Sequence, residues 1–273
     1  MSGPLLVTGG TGYLGRELLR TAGGPAAGTY LTSRPPAHRD QHRLDVRDAA
    51  AVRRLIERLR PAAVIHTAYR QDDRATTLDG AAAVAEAAAG VEARLVHLST
   101  DVLFDGEKAG AYTEEDEPRP VTDYGHAKAD AERAVAAAHP EALIVRTSLI
   151  YGGGEPGHHE RAVLDAAAGR SGMAFFADEL RCPIQVGDLT AALLELVELE
   201  VAGILHVAGA DIVDRHEFAR LVAARHGADP QRLRLSTIAA TGVARPRNCA
   251  LSSERARRLL RTRLRGAHEV LGH

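Results

Sequence analysis

The chain has 273 residues, 45% hydrophobic and 26% charged, with 34 basic against 36 acidic side chains and a net charge of −2. That length allows one large domain or two smaller ones around a sizeable core. The balance leaves no electrostatic footprint for nucleic acid or an anionic membrane surface, and no stretch approaches the ~18 unbroken apolar residues of a membrane helix.

Short apolar runs alternate with helical patterns. PLLVTG (4–9) reads as a buried strand, and GYLGRELLRTA (12–22) puts Leu14, Leu18 and Leu19 on one helical face. GTYLTS (28–33) is a second strand and HRLDV (42–46) a short third. Asp48 can cap a helix that stops at Pro61. AAVIHTA (62–68) is a strand, 78–89 an alanine-rich helix, ARLVHLST (93–100) a strand, 105–121 a polar loop and 123–138 a helix. ALIVRTSLIYG (142–152) is another strand. Beyond it the rhythm loosens: HERAVLDAAAGR and DLTAALLELVELE are helical, GILHVAG (203–209) is a strand, Asp214 and Glu217 suggest a capping box opening a helix over 215–226, and an arginine-rich helix lies near 252–262. The alternation predicts an α/β fold, a doubly wound parallel sheet over residues 1–148, with a smaller C-terminal domain over 149–273. The strand at 203–209 is expected to return to the main sheet.

VTGGTGYLG (7–15) lies between the first strand and the first helix. Gly9, Gly12 and Gly15 suit a sharp turn, close approach of backbone to a pyrophosphate and tight helix–sheet packing; the helix N-terminus then offers free N–H groups to phosphate. This predicts a Rossmann-type dinucleotide site. The second strand ends YLTSRPP, where Arg34, with Ser33 beside it, can read a 2′-phosphate, so NADP is expected, with NAD as the other option. Asp45 is a candidate for the adenine side.

RLVHLSTD delivers Ser99 and Thr100 at a strand end, and DYGHAKADAE (123–132) places Tyr124 one helical turn before Lys128. Lys128 is one of only two lysines; the other 32 basic residues are arginines. A phenol beside an ammonium suits proton donation to a ketone that receives hydride, and a hydroxyl such as Thr100 can hold the carbonyl. The two cysteines, Cys182 and Cys249, read as reduced thiols of a cytoplasmic protein, since MSGPLLVTGG has neither the basic nor the apolar region of a signal peptide. No histidine set has metal-ligand spacing, and GHH (157–159) reads as a polar loop.

With these residues the chain resembles the extended short-chain dehydrogenase/reductases, most closely the dTDP-4-dehydrorhamnose reductase branch. VTGGTGYLG resembles the cofactor loop, RLRPAAVIHTA the fourth-strand segment, LSTDVLFDG the S-T-D-x-x-F-x-G motif and DYGHAKADAE the Y-G-x-x-K-x-x-x-E motif; VRTSLIYG, DELRCPIQVGDL and RPRNCALSS resemble later landmarks. The resemblance implies a catalytic triad of Thr100, Tyr124 and Lys128. It implies cofactor contacts from Gly9, Gly12, Tyr13, Leu14, Gly15, Ser33, Arg34, Asp45, Val46, Thr67, Ala68 and Tyr69, besides Tyr124 and Lys128. Ser99, Asp101, Val102, Leu149, Arg181 and Arg247 would face a nucleotide sugar. Val102 stands where the family usually has an aromatic residue, Leu149 where it often has tryptophan, and Asp79 where a helix commonly begins around asparagine; these departures fall on the sugar side.

The reading is therefore an NAD(P)H-dependent reductase of a keto group on a nucleotide-activated deoxysugar. It implies a small-molecule substrate, no nucleic acid or membrane partner, no metal, and an assembly that can be a homodimer. Two other readings stand beside it: a sugar-nucleotide epimerase or dehydratase of the same superfamily, and a non-catalytic NADP-binding subunit resembling the regulatory subunit of methionine adenosyltransferase.

Overall fold

The computed structural model describes residues 3–32 and 40–272. In chain order come β1 (Leu5–Thr8), α1 (Tyr13–Thr21), β2 (Ala26–Tyr30), β3 (Asp40–Arg43), α2 (Ala49–Leu59), β4 (Ala63–His66), the single turn α3 (Arg74–Thr77), α4 (Asp79–Gly90), β5 (Arg94–Thr100) and α5 (Asp123–Ala138). There follow β6 (Leu143–Thr147), β7 (Ile150–Tyr151), α6 (His158–Ala167), β8 (Ala174–Phe176), β9 (Leu180–Arg181), β10 (Ile184–Gln185), α7 (Val186–Val197) and β11 (Gly203–His206). The chain closes with β12 (Val213–Asp214), α8 (Arg215–Arg225), β13 (Arg234–Ser236) and the short helices α9 (Ile238–Thr241), α10 (Glu254–Leu259) and α11 (Ala267–Leu271).

Seven strands form one sheet in the order β11-β6-β5-β4-β1-β2-β3. The pairs β2/β3, β1/β2, β1/β4 and β4/β5 are parallel, in the register Val7↔Gly28, Val7↔Ile65 and Ile65↔Val96. This is the Rossmann order, with its reversal between β1 and β4. The strand sequences follow from burial on both faces: Val64, Ile65, Leu95 and Val96 are fully buried, and burying such a side chain is worth roughly 1.5–3 kcal/mol.

Two compact units divide the chain. The first comprises Met1–Ser99, His126–Val145 and Thr190–Leu205; the second comprises Thr100–Gly125, Arg146–Leu189 and His206–His273. The core of the first joins Leu6, Val52, Ile56, Val64, Val84, Leu95, Val135 and Ile144. That of the second joins Tyr151, Val163, Phe175, Phe218, Val222 and Leu271. Among the described residues no helix is long and apolar enough to cross a membrane.

Local chemistry sets most element ends. The Asp48 carboxylate accepts the Ala51 N–H at 2.9 Å, and α2 ends in left-handed Arg60 (φ 44°) just before Pro61. Asp214 caps α8 by accepting the Glu217 N–H at 2.7 Å, but the expected reciprocal bond is replaced: the Glu217 carboxylate meets His268 at 2.9 Å. The strand expected over 142–152 is two strands. After Thr147 the chain leaves the large sheet, Ser148 turns its hydroxyl onto Asp101, and β7 pairs with β10. The second strand begins earlier than expected, at Ala26, and the third is the polar DQHR at the sheet edge, where alternation with apolar residues is not required.

Candidate active site

The glycine loop is built for close approach. Gly9 has φ +70°, and its N–H donates to Thr29 Oγ1 at 3.2 Å. A Cβ on Gly15 would lie 2.2 Å from the Gly9 carbonyl oxygen, so only glycine lets α1 start this near the turn. Gly12 is the N-cap of α1 and supplies no side-chain cap hydrogen bond, and a helix N-terminus of this kind favours an anion. Tyr13 is half-buried and Leu14 buried at the head of the helix. After β4, Thr67 Oγ1 donates to the Thr8 carbonyl at 2.7 Å, and a Cβ on Gly9 would be 3.0 Å from Ala68 Cα, so this segment lies against the loop; Tyr69 is exposed. Val46 is buried against α4, where a Cβ on Gly80 would come within 2.6 Å of its Cγ2. The Asp45 carboxylate is held by the Arg47 guanidinium at 2.7 Å, which keeps it below the ordinary carboxylate range. Ser33 and Arg34 lie outside the described residues.

Lys128 is 3% exposed. Its ammonium donates to the Leu98 carbonyl and lies 3.4 Å from His97 Nε2. The rings of His97 and His66 stack with centroids 5.2 Å apart, and His66 Nδ1 meets Thr8 Oγ1 at 2.7 Å. Burial, with Lys128 adding to it, pushes His66 down to about 3 and His97 well below its usual value, so both are neutral at pH 7. Burial lowers Lys128 to about 8, while Glu132 opposes the shift. The folded pKa is below the unfolded 10.5, so between those values the unfolded chain holds more protons and stability climbs with pH. Below pH 8 the buried charge costs about 3 kcal/mol. Lys128→Met is accordingly expected to stabilise the protein by about 2–3 kcal/mol at pH 7, with the gain shrinking towards pH 10. Urea unfolding at pH 7 and pH 10 checks this; a gain that does not fall with pH would show that charge burial is not its source.

The second unit contains Thr100 and Tyr124. Thr100 is half-buried at the end of β5; its hydroxyl lies 3.4 Å from Asp101 Oδ1 and accepts the Val102 N–H at 3.4 Å. Tyr124, half-buried, opens α5, which carries Lys128 one turn later. The first turn of α5 is pressed onto the segment after β5: a Cβ on Gly125 would sit 2.5 Å from the Val102 carbonyl oxygen. Ser99 and Leu149 are buried, and Arg247 is exposed with Nη2 3.9 Å from Glu107.

Asp101 and Arg181, expected to face the sugar, are 2% and 5% exposed and are committed to each other. Arg181 Nη1 donates to Asp101 at 2.5 Å, and its Nε and Nη2 donate to Glu179 at 3.1 and 2.9 Å. Ser148 Oγ donates to the other Asp101 oxygen at 2.5 Å. Burial disfavours the Arg181 charge, but its neighbours, Asp101 first and Glu179 with it, together outweigh burial and hold the guanidinium above its ordinary pKa. These two residues act as an internal brace in this conformation. Lys108, the other lysine of the chain, is exposed and has its ammonium on Asp116 at 2.5 Å.

Sequence reasoning passed over His66, His97, Ser148 and Glu179. A signal was present for the two histidines: His66 follows the apolar run AVI (63–65), and His97 interrupts LVHL (95–98). Such a residue in a strand buried on both faces must meet a polar partner.

The family model described as the RmlD substrate binding domain matches residues 3–272. The chain is 34% identical to a dTDP-4-dehydrorhamnose reductase of Mycolicibacterium smegmatis, over 99% of this chain and 84% of that protein. It is 33% identical to a probable dTDP-4,6-dihydroxy-2-methyloxan-3-one 4-ketoreductase of Streptomyces antibioticus, over 89% of this chain and 83% of that one. Its fold matches that of a dTDP-4-dehydrorhamnose reductase from Bacillus anthracis, solved in complex with NADP, at TM-score 0.84 and 24% identity over 100% of this chain and 98% of that one.

Proposed function

The chain belongs to the dTDP-4-dehydrorhamnose reductase-like branch of the extended short-chain dehydrogenase/reductases, and on that premise we propose that it is an NADP(H)-dependent reductase of the 4-keto group of a dTDP-activated deoxysugar. The observation that carries the reading is helix α5, which presents Tyr124 one turn before a buried Lys128.

Residues of the glycine loop fit a dinucleotide: the tight turn that Gly9 and Gly15 permit and the N-terminus of α1, which has no side-chain cap, suit a pyrophosphate. NADPH, when bound, supplies the hydride. Gly9, Gly12, Tyr13, Leu14 and Gly15 would hold its phosphates, Val46, Asp45 and Thr67 to Tyr69 its adenine and ribose side, and Ser33 and Arg34 its 2′-phosphate. Tyr124 gives its phenolic proton to the carbonyl oxygen of the sugar as negative charge develops there. Thr100 donates a hydrogen bond to the same oxygen. Lys128, with a pKa of about 8, is mostly protonated at pH 7, and its positive charge favours the phenolate that Tyr124 becomes. Val102 and Leu149 would contribute to the sugar wall, with Arg247 towards the nucleotide; Asp101 and Arg181 would brace that wall from behind.

A panel of 4-keto nucleotide sugars with NADPH, followed at the nicotinamide absorbance, tests the reading; no oxidation with any dTDP-4-keto sugar would overturn it. Gly15→Ala is expected to weaken NADPH binding at least ~10-fold, because the methyl group forces α1 away from the turn. Fluorescence titration reads this directly, and unchanged affinity would remove the glycine loop from the cofactor site.

A further inference from the structure

Thr8, His66 and His97 occupy one row across three neighbouring strands. Thr8 of β1 is in register with His66 of β4, and His66 with His97 of β5. All three are buried, at 0%, 1% and 1% exposed. The row is chained by contact: Thr8 Oγ1 to His66 Nδ1 at 2.7 Å, ring on ring to His97, and His97 Nε2 to the Lys128 ammonium at 3.4 Å. It is also costly, since His66 Nε2 and His97 Nδ1 are buried with no partner among the described residues. Aliphatic side chains would fill a two-sided strand without that penalty. A polar row kept at such a cost is accounted for by what it ends on.

We propose that His97 is a positioning residue for Lys128: its Nε2 accepts one ammonium N–H and aims the amine, while stacking on His66, itself keyed to Thr8, fixes the orientation of the His97 ring. This rests on the reading of Lys128 as part of a reductase site. An ammonium has three N–H donors on a flexible stem. The Leu98 carbonyl and His97 take two, which fixes the direction of the third. A neutral imidazole can accept; an imidazolium would only repel. Among the described residues the charged and titratable groups coupled to Lys128 are His97 on β5, His66 on β4 and Glu132 on its own helix, with Tyr124 one turn before it on α5.

The full-length protein is tested with His97→Leu, which removes the acceptor, and His97→Gln, whose amide oxygen can reach the place of Nε2. NADPH titration needs no sugar. His97→Leu is expected to weaken NADPH binding at least ~10-fold and to move the alkaline limb of its pH profile about one unit towards acid, while His97→Gln stays within ~3-fold of wild type. With a sugar that turns over, kcat of the leucine variant should fall ~10-fold at unchanged KM for the sugar. If no sugar is reduced even by wild type, the reductase reading fails, and the NADPH titration still decides this proposal. Equal affinity and an unmoved profile in His97→Leu overturn it. So does a glutamine variant no better than leucine, or a fall in melting temperature with NADPH binding intact. Should His97→Leu not fold, nitrogen-15 shifts of His97 in the wild-type protein decide: a proton on Nδ1 at pH 7, leaving Nε2 as acceptor, upholds the proposal, and a proton on Nε2 overturns it.

Discussion

Tyr124→Phe is expected to lower turnover of a 4-keto nucleotide sugar at least ~10²-fold while leaving NADPH affinity within about 2-fold. The substitution removes one oxygen and keeps the ring. The first turn of α5 runs close to the Val102 carbonyl, whose oxygen lies 2.5 Å from where a Cβ on Gly125 would stand, and the Gly125 N–H donates to Thr122 Oγ1 at 3.0 Å. Lys128 keeps its bond to the Leu98 carbonyl and its contact with His97, since both partners lie on β5. What is lost is the proton for the carbonyl oxygen, so the effect belongs in kcat and not in cofactor binding. Steady-state rates beside a fluorescence titration separate the two. A phenylalanine variant that turns over like wild type would show that another group delivers the proton.

Arg181→Met is expected to cost about 3–5 kcal/mol of folding stability, because it leaves two buried carboxylates without their cation. Asp101 would keep Ser148, and Glu179 would keep its ion pair with Arg245, at 3.5 Å, and the charge of the buried Arg215. Glu179 Oε2 has no hydrogen-bond partner among the described residues even with Arg181 in place, so the loss falls on a group that is already under-satisfied. Arg181→Lys keeps the charge but loses the planar fork that reaches both acids, and an intermediate loss is expected. Urea unfolding at neutral pH measures both. An unchanged midpoint in the methionine variant would mean that water reaches the pair and that the brace is a surface feature.

The glycine loop, the capped helix after Asp48 and the Tyr124–Lys128 pair were legible in the sequence, because each is a relation among residues within one or two turns of chain. Hydrophobic period, cap chemistry and the steric freedom of glycine act over that range, and neighbours in sequence stay neighbours in space. Element ends were less legible. The break after Thr147 interrupts an unbroken apolar run, ALIVRTSLIYG, and nothing local marks it; a serine bonded to a carboxylate 47 residues away does. The third strand, DQHR, has no apolar pattern because it lies at the edge of the sheet.

By itself the sequence determined the doubly wound class, the position of the glycine loop and the spacing of tyrosine and lysine on one helix. Only the tertiary structure decided what surrounds that lysine and what becomes of the charges expected near the sugar. Thr8 meets His66 across 58 residues, His97 meets Lys128 across 31, and Asp101 meets Arg181 across 80. Such pairs depend on strand order and register. Those are set by how whole strands bury both faces against one another, and a slip of one residue would turn every side chain in the row to the opposite face.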